Sequence, residues 1–253
     1  MLPHPTLEKL RELNLRGMLQ ALQEQAQQPE YAQLSFEERL GLLIDRELCE
    51  RDNRRLANRL KQANLRQTAV IEDLDFRQPR GLDRSLVLSL ASCVWVQRRY
   101  NCLITGPTGV GKTYLACALG QKACREGYSV HYARVGRLLQ ELGTAKQDGR
   151  YARRLAALAK LDLLILDDWG VTPLNPEQRR DLLEILDDRY QARSTLVTAQ
   201  LPIGQWHDYL GDPTLAEAIL DRLVHNAYRL SLSGESMRKL QANLPTTEEA
   251  ENR

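Results

Sequence analysis

Apolar residues recur along the chain with two different periods, and the change of period falls near residue 100. Before it, Leu7, Leu10, Leu15, Met18 and Leu22 lie within an arc of about 140° at 3.6 residues per turn, which predicts one amphipathic helix closed by Pro29. Ser35 followed by Glu38 is a capping-box pattern. It predicts a second, long helix whose apolar face is Phe36, Leu40, Leu43 and Ile44. Residues 1–80 are polar and nearly free of β-branched residues, so an α-helical N-terminal appendage is expected there. After residue 100, short apolar runs at 102–105, Val130–Arg134, 163–167 and 195–199 alternate with helical stretches beginning near Lys112, Val135, Arg150 and Pro176. Strands that are apolar throughout, alternating with helices, predict an α/β core with a parallel sheet sandwiched by helices. Its expected extent is residues 81–245, with TTEEAENR at 246–253 as an acidic, frayed tail.

Composition narrows the class. In 253 residues, a hydrophobic fraction of 43% supports a packed core and argues against wholesale disorder. The cysteines at 49, 93, 102, 117 and 124 are scattered and never form a C-x-x-C pair, which disfavours zinc and a disulfide framework and fits reduced thiols. No basic–apolar leader opens the chain. The longest apolar stretch, 86–96, is broken by serines and falls short of the roughly 20 residues a spanning helix needs. A soluble, cytoplasmic protein is expected.

The candidate chemistry lies at two strand ends. Residues 106–113 read GPTGVGKT, a full match to the phosphate-loop pattern G-x-x-x-x-G-K-[ST], placed between an apolar run and a helix as that pattern requires. Gly106, Gly109 and Gly111 let the backbone curl, so that N–H groups across Gly106, Pro107, Thr108, Gly109, Val110 and Gly111 face phosphate oxygens, with Tyr114 next in the helix. Proline 107 itself has no N–H to give. The helix adds its positive end. Lys112 is placed to reach the outer phosphates and Thr113 to ligate magnesium. The second end is LLILDD at 163–168, which puts Asp167 and Asp168 at the C-terminal edge of a buried strand. Asp167 would hold magnesium, and Asp168 would orient and polarise an attacking water. The bland readings are a glycine-rich turn and a pair of acids capping the turn before Gly170 and Pro173. An ATP and magnesium site explains both segments at once.

With these motifs the chain resembles an AAA+ ATPase. More narrowly it resembles the ATP-binding helpers of bacterial insertion sequences, the IstB-like proteins, and their relatives the DnaC-like helicase loaders. The narrower likeness rests on the opening LEKLRELNLRGMLQAL, on LSFEERLGLLIDREL and RQTAVIEDLDF, and on TLVTAQLP and DPTLAEAILDRLVHNAYRLSLSGESMRK. The resemblance implies that Gln200, before Leu201-Pro202, is the polar sensor of the terminal phosphate, although many relatives carry Asn there. It implies that Arg222, in ILDRL, is an arginine finger reaching a neighbouring subunit's ATP, and that Arg238, in GESMRK, touches nucleotide from the lid. Guanidinium groups suit the charge spread over phosphoryl oxygens in the transition state. Asp168 stands where many AAA+ members carry Glu, setting the carboxylate back by about 1.5 Å, and slow, switch-like hydrolysis is expected.

The implied function is an ATP-dependent helper of transposition that forms a homo-oligomer on duplex DNA and recruits or activates its transposase. The alternative is a replicative helicase loader, which shares the ATPase core and differs in what its appendage docks on. A small-molecule P-loop kinase and an architectural protein that uses ATP only for assembly are more distant readings. For DNA, residues 51–66 carry Arg51, Arg54, Arg55, Arg59 and Arg66 within an arc of about 140° on a helix, with Leu56, Leu60 and Ala63 opposite. A second basic run holds Lys146, Arg150, Arg153, Arg154 and Lys160. Such surfaces follow a phosphate backbone with little sequence preference, or they are simply solvated helix faces. No aromatic residue interleaves with the first stripe, which favours duplex over single-stranded DNA.

Overall fold

The computed structural model describes residues 5–237, and they divide into one compact unit up to Asn58 and a second from Arg59 onward. In the first unit the leading helix predicted as one piece is two: α1 (Pro5–Glu12) and α2 (Arg16–Gln27). The break is at Asn14, whose φ of 56° lies in the left-handed region that asparagine tolerates better than most residues. Ser35 opens α3 (Phe36–Ala63) through the capping box that its spacing predicts. The Glu38 N–H donates to the Ser35 hydroxyl at 3.2 Å, and the Ser35 N–H to the Glu38 carboxylate at 2.8 Å. The apolar face of α3 is narrower than expected: Leu40 and Leu43 are partly buried, but Phe36 and Ile44 are exposed. The reason is where α2 meets it. Gly17 lies so close that a Cβ would stand 2.6 Å from the Arg46 carbonyl oxygen, and Glu47 accepts the Gly17 N–H at 2.7 Å.

Residues 59–80, read from the sequence with the appendage, pack in the second unit. Arg59 donates to the Cys124 carbonyl at 2.8 Å, and Ile71 and Leu74 are buried. Asp83 then caps α4 (Arg84–Ala91) by accepting the N–H groups of Ser85 and Leu86, and α5 (Val94–Gln97) is a single turn leading to the sheet. The predicted alternation follows as β1 (Asn101–Thr105), α6 (Lys112–Arg125), β2 (Val130–Arg134), α7 (Val135–Gln147), α8 (Tyr151–Lys160), β3 (Leu163–Trp169), α9 (Pro176–Arg189) and β4 (Ser194–Ala199). After α10 (Trp206–Leu210) and α11 (Pro213–Val224) comes β5 (Ala227–Ser231), a strand not read from the sequence. It is an edge strand with only Leu230 fully buried, so it lacks the continuous apolar run that marked the others.

All pairings are parallel, in the order β2-β3-β4-β1-β5. α6 packs across one face of the sheet, while α7, α8, α9 and α11 join the cluster on the other, around Leu103, Leu164, Leu166 and Val197. The fold class is therefore the expected one. Chain order reverses beside β1, and the C-terminal ends of β1, β3 and β4 lie side by side, the place where open α/β sheets bind ligands. Among the described residues no helix is long and apolar enough to cross a membrane.

Candidate nucleotide site

The loop leaving β1 is fixed by its neighbours as well as by its glycines. Gly106 has φ 146°, and a Cβ there would meet the Leu232 carbonyl oxygen at 2.2 Å, so no side chain fits. Gly111 ends the loop at φ 98° and is the N-cap of α6, which aims the first free N–H groups of that helix at the loop's hollow. Lys112 donates from Nζ to the carbonyls of Gly106 (2.6 Å) and Pro107 (2.7 Å), laying the ammonium along the loop. Arg80 braces the loop from the cavity wall. Its guanidinium donates to the Val110 carbonyl at 3.1 Å and to the Asp75 carbonyl at 2.9 Å. A cavity opens beside Gly109, Gly111, Lys112, Thr113 and Tyr114, walled across by Asp73, Leu74 and Asp75.

The acids stand where β3 leaves the sheet. Asp167 is almost wholly buried and collects hydroxyl donors from three elements. Thr113 of α6 lies 3.1 Å from both carboxylate oxygens, Tyr132 of β2 donates at 2.5 Å, and Thr198 of β4 donates to Oδ1. Burial and the bond to Asp167 push the Tyr132 phenol's pKa far up, so it stays a donor. Since Thr113 gives its proton to Asp167, its oxygen lone pairs remain for a cation. Asp168 breaks the ladder: the register with β4 shifts between Leu166 and Trp169, and Asp168 has φ 61°. This bulge turns its half-exposed carboxylate out of the sheet. Burial, then the charge of Asp167, raises its pKa above the ordinary carboxylate value, against the pull of Arg66, Arg134 and Lys112.

The donor set suits a hard divalent cation: a hydroxyl and a carboxylate, both oxygen, placed side by side. Among the described residues no group of three or more His, Cys, Asp or Glu could hold a metal unaided. Any magnesium here would need the ligand's own phosphates, which is its habit.

The remaining expected site residues fall in varied places. Gln200 is exposed, directly after β4 and beyond Thr198. Arg222, on α11, donates through Nε to Asp187 at 2.6 Å and through Nη1 to the Ala218 carbonyl at 2.9 Å, with its guanidinium 5.8 Å from the Tyr190 ring centre. Arg238 lies outside the described residues. The expected basic stripe is not a continuous one. In the first unit Arg51 and Arg54 pair with Glu47, Arg54 also with Glu50, and Arg55 with Asp52, because acids stand three, four or seven residues upstream on the same helix. In the second unit Arg59 turns to Cys124, and α3 ends at Ala63, with Asn64 at φ 50°. Arg66 is thus off the helix, and its Nη1 lies 3.5 Å from Asp167 and 3.7 Å from Asp168. In the second basic run Lys146 pairs with Glu177 and Asp181, Arg150 with Asp148, and Arg154 with Glu141, while Arg153 is exposed. Sequence reasoning missed Tyr132, Thr198, Arg80 and the placement of Arg66. For Tyr132 and Thr198 the advance signal was a polar atom inside a strand, while Arg80 and Arg66 lie outside the strands.

The pattern of IstB-like ATP binding protein matches residues 8–244. An insertion sequence ATP-binding protein of Sinorhizobium fredii (strain NBRC 101917 / NGR234) is 55% identical, over 95% of this chain and 98% of its own. Two solved structures share the fold. DnaI has a TM-score of 0.56 at 24% identity, over 66% of this chain and 92% of its own. The DnaC helicase loader has a TM-score of 0.51 at 21% identity, over 69% of this chain and 98% of its own. A phosphate loop and a buried acid on one edge of this sheet, within a pattern that runs nearly the length of the sequence, make the chain a member of the IstB-like ATP-binding family.

Proposed function

We propose that the protein is an ATP-dependent helper of transposition: it binds ATP with magnesium, hydrolyses it as a switch, assembles on duplex DNA and engages its transposase. The observation that carries this reading is the convergence of Thr113 and Asp167 at 3.1 Å within a family of insertion sequence ATP-binding proteins. In this reading the loop N–H groups and Lys112 bind the phosphates, and Thr113 and Asp167 hold magnesium. The metal, when bound, supplies charge neutralisation at the terminal phosphates. Asp168 orients the attacking water, and Gln200 faces the terminal phosphate. Arg222 acts on a neighbouring subunit's nucleotide, and Arg238, outside the described residues, is the lid arginine that touches the nucleotide. Arg51, Arg54, Arg55, Arg59, Lys146, Arg150 and Arg154 supply DNA contacts only where duplex phosphates displace their present partners, and the exposed Arg153 adds to them, so DNA affinity is modest and salt-sensitive.

The test is sizing of the protein with ATP, with ADP and with duplex DNA, run beside phosphate release. Larger assemblies with ATP and DNA, and slow release, support the proposal. A protein that stays one size in every condition refutes the assembly, and one that binds ATP but never releases phosphate refutes the hydrolysis.

A further inference from the structure

Arg66 stands at the acid pair through a loop rather than a helix. Asn64, at φ 50°, ends α3 one residue after Ala63, and the chain turns so that Arg66 comes over the C-terminal edge of β3. Both of its ion pairs run through Nη1, 3.5 Å from Asp167 Oδ2 and 3.7 Å from Asp168 Oδ2. Asp167 is held far more tightly than the guanidinium, while Asp168 is about as exposed as Arg66. The Asp167 side chain is 1% exposed and pinned by Thr113, Tyr132 and Thr198, whereas the Arg66 side chain is 40% exposed and has room to swing. It lines the same cavity as Gly111, Lys112 and Thr113.

These positions divide the work along a bound nucleotide. The loop N–H groups would hold mainly the phosphates that ATP and ADP share, with Lys112 reaching on towards the outer ones. The acid pair marks the other end, where the terminal phosphate of ATP would lie. Asp167, once shared with a divalent cation, attracts Arg66 less, and the adjoining phosphate becomes its nearest strong anion. A guanidinium is suited to that exchange, because its planar fork binds carboxylate and phosphate oxygens alike.

We propose that Arg66 contacts the terminal phosphate of ATP from within the same subunit, and so lets the site tell ATP from ADP. This rests on the reading of the cavity as an ATP site. It needs no neighbouring subunit, which sets Arg66 apart from Arg222.

The experiment compares full-length wild type, Arg66→Ala and Arg66→Lys. Each is titrated with a non-hydrolysable ATP analogue and with ADP in excess magnesium, by displacement of a fluorescent nucleotide, with thermal melting to check the fold. Loss of one charge-assisted contact should weaken the ATP analogue by about 10- to 100-fold in Arg66→Ala. ADP should stay within about threefold, and Arg66→Lys should recover part of the difference. Equal weakening of both nucleotides would show a merely structural cation and overturn the proposal, as would an unchanged ratio of affinities. A wild type that binds both nucleotides while Arg66→Ala keeps that ratio sinks the Arg66 role alone. A wild type that binds neither sinks the ATP-site reading and this one with it.

Discussion

Three hydroxyls hold Asp167, from Thr113, Tyr132 and Thr198, and each reaches it from a different element. A run of four apolar residues ending in acids announced a strand and its exit, because both are local. The hydroxyls of Tyr132 and Thr198 come from strands about 30 residues away on either side, and only the sheet order brings them together. The phosphate loop was readable for the opposite reason: glycines and lysine encode their own backbone path. Gly106→Ala should therefore abolish nucleotide binding while the protein still folds, because a methyl group would press on the Leu232 carbonyl and push the loop off its path. Binding at wild-type affinity would show that the loop tolerates another path. Lys112→Ala should remove ATP binding and ATP-dependent assembly together, checked by titration and sizing. For Asp168, its bulged backbone and short side chain predict a turnover well below about 100 per second, the upper end for phosphoryl-transfer enzymes. Asp168→Asn should lower phosphate release by about 10²- to 10⁴-fold with ATP affinity nearly unchanged. A fast wild type, or an active Asn variant, would remove Asp168 from the role of base.

At the scale of elements, the contact of α2 with α3 turns on Glu47. Its carboxylate accepts the N–H groups of Gly17 (2.7 Å) and Met18 (3.3 Å) and pairs with Arg51 at 2.7 Å. Burial pushes its pKa up, but Arg51 and the two N–H groups outweigh that and hold it below the ordinary value of 4.5. A carboxyl with a lowered folded pKa stabilises above its unfolded value and loses that contribution as pH falls through the folded one. The helical unit should therefore loosen on acidification below about pH 4.5, and Glu47→Gln should flatten that dependence. Glu47→Ala strands two N–H groups and should cost about 1–3 kcal/mol, read by denaturant melts. No change in either would show that the α2–α3 contact has another origin. The capping box at Ser35 was legible because it spans three residues. The break at Asn14 was not, since the apolar spacing runs on through it and only the backbone angle departs. β5 escaped notice because an edge strand needs no continuous apolar run.

For the whole molecule, a formal net charge of +2 leaves little long-range attraction for DNA, and most of the basic side chains proposed for it already have acidic partners. Duplex binding should accordingly fall steeply with salt and depend on assembly, which multiplies weak contacts. Arg222→Ala should keep ATP binding yet lose hydrolysis and ATP-dependent multimers. Unchanged multimers on sizing would take Arg222 out of the interface. The expectations for nucleotide binding, hydrolysis and assembly all depend on a phosphate loop and a buried acid gripping one metal–triphosphate. Calorimetric titration of the protein with ATP, with and without magnesium, measures that grip. Binding heat for a single site per chain is expected, with affinity raised at least about tenfold by magnesium through Thr113 and Asp167. Absence of heat, or an affinity indifferent to magnesium, would contradict it.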